Sequence, residues 1–271
     1  VRPSELASLV TASVLAASLA AGCHRHDDPP EHRAPPRPPK EHKAPAAHAD
    51  DGAQTIAGLR FLEVVTGGAA AGDRLPLVVF LHAHSARPPA VRAKLAAFPG
   101  KARIVVPFGL HEGDKGSYVW FPGPQFTPEG EKAYARALPD VEKQVAAAIA
   151  AIAEARPTLG KPIASGFSQG AGIALAIALW HPDLLSAACP MAGELPPGVF
   201  DGASAPAAKP EVHALIGDTD LMTPSAERTI AGFKSLGYAA DLKVLPGFGH
   251  TFDPSIPEVF ACLARATSAA K

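Results

Sequence analysis

Residues 162–175, Pro-Ile-Ala-Ser-Gly-Phe-Ser-Gln-Gly-Ala-Gly-Ile-Ala-Leu, constrain what this chain can fold into more than any other stretch. A short apolar run meets a longer one rich in helix formers, with Gly166-Phe167-Ser168-Gln169-Gly170 at the junction. A strand that enters a helix through so tight a turn brings backbone segments close together, and flanking glycines leave room where a side chain would clash. Ser168 is thereby presented at the tip, near the positive end of the following helix. The Gln169 amide is free there to donate to a developing oxyanion.

A serine used as a nucleophile needs a base and an orienting acid, and on a strand-turn-helix scaffold they follow it in the order acid, then histidine. The chain supplies both. Val212-His213-Ala214-Leu215-Ile216 opens into Gly217-Asp218-Thr219-Asp220-Leu221-Met222-Thr223-Pro224, a strand end carrying two acids in a tight loop. Leu242-Lys243-Val244-Leu245 runs into Pro246-Gly247-Phe248-Gly249-His250, a second strand end that delivers a histidine. From the residues alone, either Asp218 or Asp220 could serve as the acid.

On these motifs the chain resembles the phospholipase/carboxylesterase family of small serine α/β-hydrolases, over about residues 56–268. Gly166-Phe167-Ser168-Gln169-Gly170-Ala171 is the most specific piece. The resemblance implies a Ser168, Asp220, His250 triad, since the family's Gly-x-x-Asp pattern falls on Gly217 and Asp220 and leaves Asp218 to cap the loop. It also implies that His84 donates the second oxyanion amide and that Trp120 and Phe121 line the acyl side of the pocket. Ala83 stands where the family has glycine, so a positive φ there would strain the backbone.

The rest of the chain fits one catalytic domain, residues 52–271. Ile56 opens it, with a first strand through Phe61 to Val65. Leu75 to Leu81 is a continuous apolar run of strand length, suited to a strand buried on both faces. It ends in His82-Ala83-His84-Ser85, two histidines that could alternatively ligate a metal but lack a clear third ligand. Ala102 to Pro107 is a further strand, followed by a Gly/Pro/aromatic loop from Phe108 to Thr127 that contains Tyr118-Val119-Trp120-Phe121. Those aromatics line a pocket, pin a long loop, or do both. Val141, Val145, Ala148, Ile149 and Ile152 recur at helical spacing before Arg156-Pro157. Residues 170–180 read as a buried helix and Ser186 to Met191 as a strand. Ser255-Ile256-Pro257-Glu258 reads as a capping box before a helix presenting Val259, Phe260 and Leu263. Alternating strands and helices imply an α/β fold, a mostly parallel sheet covered on both faces. About twenty residues between the Ser186–Met191 strand and the acid strand leave no room for a cap domain.

The N-terminal part is different. Arg2 precedes an uncharged run from Leu6 to Ala21, too short and small-residued for a confident membrane span, which predicts a signal peptide over residues 1–23. Leu19-Ala20-Ala21-Gly22-Cys23 resembles the lipobox of bacterial lipoproteins and implies lipidation of Cys23, although its leucine lies four residues before the cysteine rather than three. A cleaved signal with an incidental cysteine, or an uncleaved anchor, are the alternatives. Much of the excess proline (29 residues in all) falls in residues 24–51, where large apolar side chains are nearly absent. Such a stretch predicts a disordered tether. His24, His26, His32, His42 and His48 lie there at irregular spacing with no cysteine partners, as in a solvated spacer rather than a metal site. Cys189 and Cys262, one at a strand end and one in the last helix, are expected to be free thiols.

Net charge is −1 and 47% of residues are hydrophobic, which argues against nucleic acid as a partner and for one globular domain. The expected activity is hydrolysis of small carboxylic esters or thioesters by an exported lipoprotein of the bacterial cell envelope. No cofactor, metal or obligate protein partner is expected, and membrane contact is through the lipid only. The rivals are a peptidase or a polyester or feruloyl esterase on the same scaffold, and a surface lipoprotein that kept the fold as a non-catalytic binding module.

Overall fold

A computed structural model of the protein describes residues 52–124 and 127–270. The signal peptide, Cys23 and the histidine-bearing tether lie outside the described residues. Among the described residues no helix is long and apolar enough to cross a membrane.

In chain order the elements are β1 (Gln54–Ile56), β2 (Leu59–Val65), β3 (Leu77–Leu81), α1 (Pro88–Leu95), β4 (Arg103–Pro107), a small hairpin of β5 (His111–Glu112) and β6 (Tyr118–Val119), α2 (Pro128–Ala155), β7 (Ile163–Phe167), α3 (Gln169–Trp180), β8 (Ala187–Met191), β9 (Glu211–Gly217), α4 (Thr223–Ser235), β10 (Ala240–Leu245) and α5 (Pro257–Ala269). Eight strands form one sheet in the order β1-β2-β4-β3-β7-β8-β9-β10. The contacts of β2 with β1 and β4 are antiparallel. From β4 to β10 every neighbouring pair is parallel.

The burial pattern explains the layering. All five residues of β3, β4 and β8 are buried, and alternate side chains serve opposite faces of the sheet. Leu77, Val79 and Leu81 join the core beneath α2, α3 and α4, together with Ile149, Ile177 and Phe233. Val78 and Phe80 join the core beneath α1 and α5, with Leu95, Val259 and Leu263. Helix α3 is apolar all round and buried over eleven of its residues because it sits inside the larger core. Residues 192–210 carry no helix or strand, so no helical cap domain is inserted between β8 and β9.

Several boundaries differ from those read off the sequence. Helix α2 begins at Pro128 rather than near Val141, because Thr127 caps it by accepting from the Gly130 amide at 3.1 Å. The expected capping box before α5 does not form. Ile256 is the N-cap, Pro257 follows it, and the Ser255 amide donates to Asp253 at 2.9 Å instead. Glu258 turns to Lys243, 3.4 Å away.

The two thiols expected to be free are joined. Cys189 and Cys262 form a disulfide with their Cα atoms 5.8 Å apart. Helix α5 returns across the sheet, and Val259, Phe260 and Leu263 share one core with Cys189. Adjacency of a central strand and the last helix comes from that crossing, which sequence spacing does not encode. The bridge closes a 73-residue separation, for which chain entropy gives a stabilisation of about 4 kcal/mol. Reduction, or Cys262→Ala, is expected to lower the denaturant midpoint and Tm by roughly that equivalent. An unchanged midpoint under reducing conditions would contradict it.

Candidate active site

The turn between β7 and α3 is built as its glycines require. A Cβ on Gly166 would lie 2.6 Å from the Gly170 carbonyl carbon and 2.7 Å from the Leu81 carbonyl oxygen. One on Gly170 would meet the backbone of Leu81 and lie 2.7 Å from the His82 carbonyl. Both positions are therefore closed to any side chain. Between them Ser168 adopts φ 55° and ψ −117°, a conformation that a non-glycine residue holds only against strain. The Ser168 amide donates to the Met191 carbonyl at 3.0 Å, which ties the turn to the neighbouring strand. Gln169 is the first residue of α3, so its amide is among the donors a helix leaves without an internal partner.

The acid and histidine loops are locked together. Gly217 packs on the backbone of Phe248 and Gly249, where a Cβ would stand 2.9 Å from the Gly249 oxygen. Thr219 donates to the Phe248 carbonyl from its amide at 3.0 Å and from its hydroxyl at 2.8 Å. Asp220 is buried, and one carboxylate oxygen lies 2.8 Å from His250 Nδ1. Its other oxygen accepts from the Met222 amide at 2.9 Å. A carboxylate held at both oxygens fixes the plane of the imidazole and leaves Nε2 as the ring nitrogen turned away from the acid. Asp218 instead accepts from the Gly247 amide at 2.8 Å at an exposed position, as a loop cap would. The His250 ring packs on Phe167, the residue before Ser168, with centroids 4.7 Å apart.

The loop after β3 contains more structure than its two histidines suggested. His82 is fully buried; its Nε2 accepts from the Gly109 amide at 2.9 Å, and its Nδ1 donates to the Ala83 carbonyl at 2.7 Å. Both ring nitrogens are occupied, which leaves none for a metal. Burial, reinforced by the neighbouring His84, pushes the imidazole down to about 4 against the effect of that carbonyl, so it stays neutral. His84 is half-buried, with Nδ1 2.9 Å from the Ser85 hydroxyl, and desolvation lowers its pKa. The left-handed residue of the loop is Ser85 (φ 54°) and not Ala83. Alanine in the glycine position of the resembled pattern is therefore unstrained at φ.

Gln169 does more than offer its amide. Its side chain accepts from the Trp120 amide at 3.0 Å and donates to the Phe121 carbonyl at 3.2 Å, clamping the aromatic loop to the turn. Trp120, expected to line the pocket, is fully buried. Its indole N–H donates to the His82 carbonyl at 2.8 Å, and its ring stacks on His82 at 5.1 Å. Between these contacts the indole supports the loop from behind. Phe121 does line the cavity beside Ser168, a space of about 80 Å³ shared with Tyr134, Met222, Glu131 and Glu194. Tyr134 stacks on Phe121 at 4.9 Å, and its hydroxyl donates to the Glu194 carbonyl at 2.8 Å. Burial raises the pKa of Tyr134 further above its ordinary value, helped by Glu194. Burial also raises the Glu194 carboxyl, against a Ser225 hydrogen bond and Arg228. Tyr134, Met222, Glu131 and Glu194 were not singled out in the sequence. They come from α2, the acid loop and the segment after β8, and no spacing connects them.

Among the described residues, no group of three or more His, Cys, Asp or Glu could hold a metal ion. The strand order, the strained serine between β7 and α3, and a histidine paired with an acid at the strand ends define the α/β-hydrolase fold. An esterase designated PE8 has that fold, superposing with a TM-score of 0.64 at 24% identity over 77% of this chain and 99% of its own. So does a carboxylesterase from Bacillus cereus, with a TM-score of 0.58 at 15% identity over 78% of this chain and 92% of its own. Acyl-protein thioesterase 2 from Zea mays is similar at a TM-score of 0.54 and 18% identity, over 78% of this chain and 98% of its own. No family profile and no curated protein sequence matches the chain.

Proposed function

We propose that the protein is a serine hydrolase that cleaves carboxylic esters or thioesters through an acyl-enzyme. One observation carries the reading: a strained Ser168 in a chain whose buried Asp220 grips His250 Nδ1 at 2.8 Å. The φ 55° and ψ −117° of Ser168 lie outside the left-handed basin that a turn residue such as Lys115 (φ 55°, ψ 35°) occupies, and strain of that kind clusters at active sites. His250 Nε2 takes the proton as Ser168 Oγ bonds to the carbonyl carbon. The amides of Gln169 and His84 hold the resulting oxyanion. Collapse breaks the carbon–oxygen or carbon–sulfur bond, and His250 returns its proton to the leaving alcohol or thiol. Water then repeats the sequence on the acyl-enzyme, releasing the acid and free Ser168.

The acyl group belongs in the recess that Ser168 itself lines. Its size, about 80 Å³, and its wall of Phe121, Tyr134 and Met222 suit a short acyl chain. Across a series of 4-nitrophenyl esters kcat/KM is expected to stop rising once the acyl chain fills the recess, with the butanoyl ester at least matching the dodecanoyl, since methylenes that stay in water gain no burial energy. A rate that climbs with chain length would contradict the short-acyl reading. No turnover of any ester in the series would remove the hydrolase.

Anchoring through a lipidated Cys23 and the tether of residues 24–51 is part of the same proposal. A disulfide in the catalytic domain suits an oxidising compartment outside the cytoplasm. Cys23→Ser is expected to release the protein from the membrane fraction. Unchanged partitioning would remove the lipid anchor.

A further inference from the structure

Two recesses flank the site, and they differ in charge. The one at Ser168 carries the carboxylates of Glu131 and Glu194. The other, about 360 Å³, has His250 in its wall, Arg87 and Lys94 beside it, and Phe167 and Phe252 among its apolar lining. No carboxylate residue lines that second recess among the described residues. We infer that it receives the leaving group of the substrate, and that this leaving group carries a compact anion, a carboxylate or a phosphate.

The inference rests on the serine-hydrolase reading above. His250 gives its proton to the departing oxygen or sulfur, so the departing group must lie against the imidazole while the acyl group remains bonded to Ser168. The recess walled by His250 is the space on that side. Charge then fixes which end of an anionic ester goes where. An anion in the Ser168 recess would face Glu131 and Glu194, with Arg228 acting on the second of them but not lining the space, and in the other it would face Arg87 and Lys94.

Arg87 is the principal contact. It is exposed at the N-cap of α1, has no carboxylate partner among the described residues, and presents a planar fork suited to carboxylate or phosphate. Lys94 is partly engaged: its ammonium donates to the Phe252 carbonyl at 3.3 Å and stands 5.6 Å above the Phe252 ring. It also adds to the lowering of the Asp253 carboxyl, which the Ser255 amide and hydroxyl chiefly cause. Phe252, backed by the buried Phe80 ring 5.0 Å behind it, offers an apolar surface for the carbon skeleton that bears the anion.

The test uses the full chain and aryl acetates that share one acetyl group and differ only in a meta substituent: carboxylate, phosphate, carboxamide or trimethylammonium. Each kcat/KM is divided by the ester's hydroxide-catalysed rate, which removes intrinsic leaving-group reactivity. At low salt the better of the two anionic esters is expected to exceed the carboxamide by about tenfold, and the cationic ester to fall below it by a similar factor. Which anion leads identifies the source of the charge. The advantage should shrink several-fold at about 1 M salt, where screening acts within a few ångströms. The double substitution Arg87→Glu, Lys94→Glu should reverse the order, favouring the cationic ester. Arg87→Gln should lower the anion-to-carboxamide ratio several-fold, which keeps the test open if the double variant does not fold. An anion-to-carboxamide ratio within about twofold of unity in the wild type, or one unmoved by these substitutions, would overturn the inference and leave ester hydrolysis standing. No turnover of any of the four esters would overturn the hydrolase reading and this inference with it.

Discussion

Ser168→Ala and His250→Ala are each expected to lose ester hydrolysis by about 10³-fold or more while keeping the fold. In the proposed mechanism the two side chains act as one unit, so removing either should cost nearly as much as removing both. The fold should survive because neither side chain holds a core together. Ser168 contributes its amide, not its hydroxyl, to the bond with Met191, and His250 lies on a loop after the last strand of the sheet. Alanine at 168 keeps a Cβ at φ 55°, so the strain remains and only the hydroxyl is lost. Turnover of 4-nitrophenyl butanoate and circular dichroism of the purified variants check both halves. Near-wild-type turnover by either folded variant would refute its assignment.

Asp220→Asn is expected to cut kcat by about 10³-fold or more, and Asp218→Asn by less than about tenfold. The geometry separates two acids only two residues apart. Asp220 is buried, with one oxygen on His250 Nδ1 at 2.8 Å and the other on the Met222 amide at 2.9 Å. An amide in its place can turn an N–H toward Nδ1, which forces the proton onto Nε2. That tautomer cannot accept from Ser168. Asp218 reaches only the Gly247 amide, at an exposed position. Its loss loosens the turn before His250 without touching the ring, so its effect should appear as a small drop in kcat with KM little changed. The opposite ranking would transfer the orienting role to Asp218.

The parts of this architecture that were legible in the sequence are those governed by local rules. A continuous apolar run marked β3 as a strand buried on both faces, Ala102–Pro107 read as a further strand and is β4, and the spacing of Gly166 and Gly170 announced a turn whose backbone packs on Leu81 and His82. Strand ends delivering Asp220 and His250 were visible for the same reason, and the structure brings those two side chains together. What escaped was set by packing between distant segments. Trp120 looks like a pocket residue from its place in an aromatic loop, but its indole N–H satisfies the His82 carbonyl and draws the ring inward. His82 itself could be read as a metal ligand until its two nitrogens are seen to be occupied by Gly109 and Ala83. Cys189 and Cys262 meet only because α5 crosses back over β8. Helices α1 and α4 were not singled out, and with α1 the pairing of Arg87 and Lys94 beside His250 was missed as well.

Covalent trapping with a fluorophosphonate shows whether Ser168 is an activated nucleophile. Intact-mass and peptide mapping of the treated protein should show one adduct, on the peptide carrying Ser168, formed in the wild type, absent from Ser168→Ala and greatly slowed in His250→Ala. An adduct that persists at full yield in Ser168→Ala, or no adduct on the folded wild-type chain, would remove Ser168 as the nucleophile.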